Sequence, residues 1–303
     1  MSRSSWMISL GAPFSRALLP LALGMMRRAM LRRGAQSYEQ HLGGIPIHYF
    51  QLAPQPGVGW EQPVVLIHGI ADSALTWLFV LHGMTGIGPV YALDLPGFGQ
   101  SGYPKGRRYA TIDEQVAVVQ ALIRDCIGRP ALLVGNSMGG WIAAKLAART
   151  PELTTGIVLV DPGGALLDGR ASWEPFARTA MVPDLATVRR IYRQMFGRIP
   201  LALYLGQRSF QALFQREAVR QFIMATREED LLTPSELRSI RVPVALVWGQ
   251  RDTFLPEGSC TFFRTHLPRA QILELPGCGH LPQRERPQEL VRFTQQFVRL
   301  RLD

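Results

Sequence analysis

Ala131-Leu132-Leu133-Val134-Gly135-Asn136-Ser137-Met138-Gly139-Gly140-Trp141-Ile142-Ala143-Ala144-Lys145-Leu146-Ala147-Ala148-Arg149 joins a short apolar run to a longer one across a G-x-S-x-G pentapeptide. The first four residues fit a buried strand, and the stretch after the serine fits a helix packed on a sheet. A serine at a strand–turn–helix junction is the setting of a nucleophile elbow. Strand and helix come close to touching there, so a Cβ at Gly135 or Gly139 would collide, and the serine backbone is held strained. The strain lifts the hydroxyl clear of the sheet, where a base can reach it. Ser137 is therefore the candidate nucleophile. Because glycine and serine also fill ordinary turns, the assignment depends on what else the chain carries.

Downstream, Val242-Pro243-Val244-Ala245-Leu246-Val247-Trp248-Gly249 has strand length and composition, and Gln250-Arg251-Asp252 follows at its C-terminal end. A carboxylate just past a buried parallel strand lies on the edge where open α/β sheets keep their sites. Asp252 is the candidate acid. Asp161, in Val158-Leu159-Val160-Asp161-Pro162, also ends a strand and is its rival. Asp94 ends another, but Pro96-Gly97-Phe98-Gly99 follows closely, and organising that loop suits it better. Ile272-Leu273-Glu274-Leu275 is a further short strand, followed by Pro276-Gly277-Cys278-Gly279-His280. That glycine-rich loop can swing an imidazole over the sheet, making His280 the candidate base. Upstream, His68-Gly69-Ile70 follows the strand Val64-Val65-Leu66-Ile67. His68 reads as a structural residue of that loop. His41, His48, His82 and His266 read as surface or core residues, and Cys278 as a neutral loop thiol.

From about Tyr38 to the C-terminus the chain resembles the serine α/β hydrolases and is most similar to their monoacylglycerol-lipase-type and bacterial lipase/esterase branch. The motifs are His68-Gly69-Ile70, Asp94-Leu95-Pro96-Gly97-Phe98-Gly99, Gly135-Asn136-Ser137-Met138-Gly139-Gly140, Val247-Trp248-Gly249-Gln250-Arg251-Asp252 and Gly277-Cys278-Gly279-His280, with Glu285-Arg286-Pro287 beyond. The chain order Ser137, Asp252, His280 is the order of that fold. The resemblance implies a Ser-His-Asp triad and an oxyanion hole made by the backbone N–H groups of Ile70 and Met138. It implies no metal or cofactor, and no H-E-x-x-H or zinc-ligand spacing occurs. Substrate is not implied, since this fold hosts many chemistries.

The expected fold class is α/β: a mostly parallel central sheet with helices on both faces and an inserted helical cap. Strands are expected at Ile45–Leu52, Val64–His68, Pro89–Leu93, Ala131–Val134, Ile157–Val160, Val242–Trp248 and Gln271–Leu275. Helical patterns fall at Ala74–His82, Ile112–Cys126, Met138–Arg149, Gly258–His266 and Pro287–Arg301. The alternation breaks between Gly163 and Ile240, where helical stretches such as Leu185–Phe196 and Ser209–Met224 occur without a convincing strand. The expected division is therefore 1–37 as an extension, 38–162 and 241–303 as the two parts of the core, and 163–240 as a cap. Its dense Met and aromatic content suits an apolar pocket for an acyl chain or an aromatic group. At 303 residues, one core with an insertion fits better than two domains. Cys126, Cys260 and Cys278 are too few and too scattered for a disulfide framework.

The first 38 residues hold Arg3, Arg16, Arg27, Arg28, Arg32 and Arg33 and no acid, and so supply most of the net charge of +10. Trp6-Met7-Ile8, Phe14 and Ala17–Met26 lie among them, with Pro13 and Pro20 expected to interrupt any helix. A basic apolar segment suits an anionic membrane surface. As a spanning helix it is poor, because Arg16 near its middle would cost ~2.5–3.5 kcal/mol. A soluble extension or targeting peptide is the remaining alternative, although no clear A-x-A cleavage site occurs. Localisation is expected to be cytoplasmic or peripheral to a membrane rather than disulfide-rich and secreted. Nucleic acid is not an expected partner, since arginine is spread through the whole chain and only Lys105 and Lys145 are lysines.

The functional expectation is a carboxylic-ester hydrolase for lipid-like or medium-chain acyl esters. The Gly135-Asn136-Ser137-Met138-Gly139-Gly140 run also resembles hydrolases that cleave carbon–carbon bonds in ring-fission products. Those usually carry several glycines after the first His-Gly, where this chain has Ile70-Ala71-Asp72. Haloalkane dehalogenases and epoxide hydrolases need an aspartate nucleophile, which Ser137 argues against. A catalytically silent ligand-binding protein on the same scaffold is the alternative from another class.

Overall fold

The computed structural model describes the backbone of residues 6–57, 61–181 and 184–302, and the side chains of these except 6–18, 170–172, 179, 180 and 202. One sheet holds eight strands: β1 (Gln36–Leu42), β2 (Ile45–Leu52), β3 (Val64–Ile67), β4 (Val90–Leu93), β5 (Ala131–Ser137), β6 (Thr154–Pro162), β7 (Val244–Gly249) and β8 (Gln271–Leu275). Their order across the sheet is β1-β2-β4-β3-β5-β6-β7-β8. β2 is antiparallel to both β1 and β4, and all other neighbours are parallel. The parallel strands are apolar throughout because both faces are covered. Val65, Ile67, Leu133, Leu159 and Leu246 enter one core. Their neighbours Val64, Leu66, Val134, Val160 and Val247 enter the other.

The helices are α1 (Trp6–Arg32), α2 (Leu81–Met84), α3 (Ile112–Ala121), α4 (Met138–Arg149), α5 (Arg170–Ala180), α6 (Leu185–Met195), α7 (Leu201–Leu205), α8 (Gln207–Phe214), α9 (Glu217–Ala225), α10 (Pro234–Ser239), α11 (Ser259–His266), α12 (Pro282–Glu285) and α13 (Pro287–Arg301). Helices α3 and α4 cover the first face through Ile112, Val116, Trp141 and Ile142. Helices α2 and α13 cover the second through Leu81, Met84, Leu290 and Phe297. Helices α5–α10 lie between β6 and β7, and no named strand occurs among the described residues there.

Several expectations are corrected. β1 has no counterpart among the expected strands: only Leu42 of its seven residues is buried, so it lacks the apolar signal of a core strand. A two-residue hairpin at Gly43-Gly44 joins it to β2, with φ of +59° and +79°. Primed turns of this kind favour glycine. The expected helix Ala74–His82 is instead a 3₁₀ turn, Ala74–Trp77, followed by α2. The Ile112–Cys126 helix widens after Ala121 into a π-helical turn, Leu122–Ile127, ended by left-handed Gly128. Ser209–Met224 divides into α8 and α9.

Neither Pro13 nor Pro20 interrupts α1, which runs on through both: proline's φ is itself helical, although each ring removes one N–H bond and crowds the carbonyl four residues back. The end of α1 also belongs to the core. Met30 is fully buried, and Arg33 Nη1 donates to the Leu78 carbonyl at 2.8 Å. Arg3 lies outside the described residues, as do the side chains of Trp6, Met7, Ile8, Phe14 and Arg16. Among the described residues no helix is long and apolar enough to cross a membrane. The three cysteines are free thiols.

One buried charge ties α4 to α10. Lys145 Nζ is wholly enclosed, donating to Glu236 Oε1 at 3.1 Å and to the Leu231 carbonyl at 3.4 Å. The Thr233 N–H and hydroxyl and the Lys145 ammonium hold the Glu236 carboxyl below its usual range, against the opposing effect of burial. Glu236→Gln should therefore destabilise by about 3 kcal/mol, because it leaves an enclosed ammonium its hydrogen-bond acceptors but removes the carboxylate charge that faces it. Lys145→Met in the same chain should recover most of that loss. Urea denaturation of the single and double variants checks this. Because folding lowers the Glu236 pKa, its contribution is present above the unfolded carboxylate range and drains away as pH falls through the folded value.

Candidate active site

Ser137 ends β5 and opens α4 with φ 57° and ψ −118°, a conformation costly for any residue with a Cβ. Two glycines permit it. A Cβ on Gly135 would stand 2.2 Å from the Gly139 carbonyl oxygen, and one on Gly139 would stand 2.1 Å from the Ile67 oxygen. Real carbon contacts never come that close, so helix and strand could not meet there with any other residue. A Cβ on Gly69 would lie 3.0 Å from the Ser137 Cβ, which sets the close approach of the loop carrying Ile70.

His280 and Asp252 are brought together from the ends of different strands. His280 Nδ1 and Asp252 Oδ2 are 2.7 Å apart, and both side chains are almost wholly enclosed. Asp252 Oδ1 accepts from the Phe254 N–H at 2.8 Å and the Leu255 N–H at 3.4 Å. Those partners leave Oδ2 for the imidazole, so Nδ1 carries the proton and Nε2 keeps a free lone pair. The His280 N–H donates to the Met195 carbonyl at 2.7 Å. Gly249 allows the two loops to touch, since a Cβ there would lie 2.0 Å from the Gly279 oxygen.

Asp161, the rival acid, lies in the same cluster. One ligand atom each from Asp161, Asp252 and His280 all fall within 4.8 Å of one another. Direct bonding to the imidazole is found for Asp252. Met138 and Ile70 both border the Ser137 cleft. His68 Nδ1 donates to the Gly69 carbonyl at 2.7 Å and Nε2 accepts from the Leu95 N–H at 3.0 Å. Burial pulls this imidazole below its ordinary range, so it stays neutral in a structural role. Asp94 accepts from the Ala74 and Gln100 N–H groups and pairs with His48 at 2.8 Å. Burial pushes the Cys278 thiol far above its usual range, which keeps it neutral.

Some supporting residues escape sequence reasoning. Asn136 donates to the Val160 and His280 carbonyls, both at 3.0 Å, bracing the His280 loop against β6. Glu285 accepts from the Gly279 and Gly197 N–H groups, joining that loop to the segment after α6. Arg284 pairs with Asp72 at 2.9 Å and with the Thr76 hydroxyl at 2.9 Å, fixing the loop after β3. Asn136 and Glu285 stand in motifs visible in the sequence, but the partners that give them these roles are distant in the chain and show only once the loops are packed.

The cleft over Ser137 is lined by Ile70, Met138, Trp141, Gly163, Gly164, Ala165, Trp173, Phe176, Leu255, Pro256 and Ser259. Among the described residues its lining side chains are apolar apart from the two serine hydroxyls. Aromatic contacts run from Trp141 to Trp173, Phe176 and Phe254, ending 5.0 Å from the His280 ring. This arrangement can hold an apolar group beside a strained hydroxyl.

The comparisons agree with that geometry. Residues 64–293 match the model of the alpha/beta hydrolase family. A pimeloyl-[acyl-carrier protein] methyl ester esterase of Nitrosomonas europaea is 28% identical over 78% of this chain and 92% of its own length. A 2-hydroxy-6-oxo-6-phenylhexa-2,4-dienoate hydrolase of Burkholderia cepacia is 28% identical over 79% of this chain and 88% of its own. The crystal structure of a bacterial membrane phospholipase A superposes with a TM-score of 0.75 at 26% identity, covering 97% of this chain and 96% of that one. With the family pattern spanning β3 to α13 around the Ser137 turn, the chain belongs to the alpha/beta hydrolase family.

Proposed function

We propose that the protein is a serine carboxylic-ester hydrolase for lipid-like or medium-chain acyl esters, working through an acyl-enzyme. The observation carrying this is the strained Ser137 at the base of an apolar cleft, with the His280–Asp252 pair formed at the neighbouring strand ends. Ser137 Oγ attacks the ester carbonyl carbon as His280 Nε2 takes its proton. Asp252 holds the imidazole in the right tautomer and stabilises its cationic form. The Ile70 and Met138 N–H groups receive the oxyanion, each such donor being worth ~10²–10³ in rate. His280 returns the proton to the leaving alcohol, and water then releases the acid by the same route. Residues 163–240 act as a cap whose Trp173 and Phe176 wall the acyl site. The names of the esterase and phospholipase relatives support ester chemistry.

A panel of p-nitrophenyl esters of rising chain length, with monoacylglycerols and a ring-fission dienone, tests the substrate class. kcat/KM should rise by about fourfold for each methylene the cleft buries. A flat response with fast dienone turnover would favour the carbon–carbon hydrolase reading, to which the Burkholderia relative points. The cleft's own lining argues against that reading. Among the described residues no cationic side chain borders it to meet a dienoate carboxylate, and Arg284 is engaged by Asp72.

The N-terminal helix is proposed to bring the enzyme to anionic lipid. Its described part exposes Leu21, Met25 and Leu31, beside exposed Arg28 and Arg32. Because the end of α1 is docked, substitution on its exposed face tests this better than a cut. Leu21→Ser, Met25→Ser, Arg28→Gln and Arg32→Gln together should leave folding and short-ester turnover unchanged while weakening sedimentation with anionic vesicles. Removing residues 1–35 takes Met30 from the core and should cost at least about 2 kcal/mol of stability. Equal vesicle binding by the wild type and this fourfold variant would refute lipid attachment through this face.

A further inference from the structure

Asp161 is a buried carboxyl at this site to which the proposed ester hydrolysis gives no part. It ends β6 beside the nucleophile turn, with Pro162 in register with Ser137 and the Gly163 N–H donating to the Ser137 carbonyl at 3.0 Å. Its side chain is wholly enclosed, and its φ of +41° is unusual for a residue other than glycine. Oδ1 accepts from the Gly249 N–H at 2.9 Å, at the end of the strand that leads to Asp252. Oδ2 is buried without a donor. A carboxylate there would leave that oxygen unsatisfied and set a second negative charge against Asp252 with no cation in contact. A carboxylic acid resolves both, because its O–H can donate to the acceptor-only Asp252.

We infer that Asp161 is a protonated carboxylic acid that donates a hydrogen bond to the Asp252 carboxylate and so positions it against His280. This rests on the triad proposed above, and it makes Asp161 a positioning residue rather than an alternative triad acid. Burial first, and the Asp252 charge second, raise its proton affinity well above the carboxylate range, against the pull of the Gly249 N–H. The groups facing it do not reverse that. Glu285 adds negative charge, and the thiols of Cys260 and Cys278 are held neutral by burial.

An amide reproduces the pattern of this acid, one oxygen accepting from Gly249 and one N–H donating to Asp252, whereas it cannot stand in for a carboxylate. Asp161→Ala should lower kcat about 10- to 100-fold on a p-nitrophenyl ester with KM little changed, and Asp161→Asn should restore it to within a few-fold of wild type. A second reading needs no turnover. The unfolded chain ionises this carboxyl near pH ~4 while the folded one keeps its proton, so wild-type stability drains as pH rises above that value. The melting temperature of Asp161→Asn relative to wild type should therefore climb as pH rises above about 5.

Loss in Asp161→Asn as deep as in Asp252→Asn would overturn the inference and make Asp161 the triad carboxylate. A melting difference flat with pH would overturn it too, since Asp161 would then be ionised in the fold. Unchanged kcat in a folded Asp161→Ala would remove the positioning role. If wild type neither hydrolyses esters nor reacts with a fluorophosphonate, the proposed function fails, and the pH dependence of stability still decides the state of Asp161.

Discussion

Ser137→Ala is expected to abolish fluorophosphonate labelling and to lower ester turnover by about 10⁶-fold, with the protein still folded. The size follows from the chemistry. The alanine enzyme keeps the cleft, the proposed oxyanion donors and the His280–Asp252 pair, but no atom remains to form the proposed acyl bond. What survives is water attack assisted by the remaining groups, typically ~10³–10⁴ over the uncatalysed rate. Folding should persist because the substituted alanine inherits the same φ of 57° and the same strain. Ser137→Gly separates the two effects. It is equally inactive, but glycine accepts that backbone without a Cβ penalty of ~1–3 kcal/mol. Its own flexibility returns ~0.5–1 kcal/mol of that. The glycine variant should thus melt above the alanine variant. Labelling of Ser137→Ala at the wild-type rate would place the nucleophile elsewhere.

The parts of the molecule legible in sequence are those whose signal is local. Strands β3, β4, β5 and β7 are apolar because both sheet faces are covered, so a short run of aliphatic residues identifies each one. The Ser137 turn is legible for a related reason: Gly135 and Gly139 are demanded by contacts a few residues away in the chain. β1 is an edge strand whose polar residues carry no core signal, and its one clue is the Gly43-Gly44 pair, easily passed over as loop. Met30 joins Leu78 and Trp77 in the second core, and no pattern within a basic segment announces that its last turn is core. The relation of Asp161 to Asp252 is hidden for another reason. Each ends a strand and each is an acceptable acid, and only the β6–β7 register shows that they share one site. Choosing between them takes the bond to His280, a contact between residues 28 apart in the chain.

Asp252→Asn should cost about 10⁴ in turnover, second only to loss of the nucleophile. The structure gives the reason atom by atom. Oδ1 of residue 252 is fixed by two donors, the Phe254 and Leu255 N–H groups, so the amide oxygen of an asparagine must take that place. Its NH₂ then faces His280 Nδ1, and the imidazole can meet a donor only by giving up the proton on that nitrogen. The remaining proton moves to Nε2, the atom that has to accept from Ser137. The variant would be folded, with the same side chains in place, and hold its base in the wrong tautomer. Two measurements check this: fluorophosphonate labelling should slow in parallel with turnover, and KM should change little, since no lining residue of the cleft is touched. A milder loss, with Asp161→Asn causing the larger one, would move the triad acid from the end of β7 to the end of β6. Because His280 can take only one Nδ1 partner, the two aspartates cannot both hold that role, and comparison of the two asparagine variants assigns it.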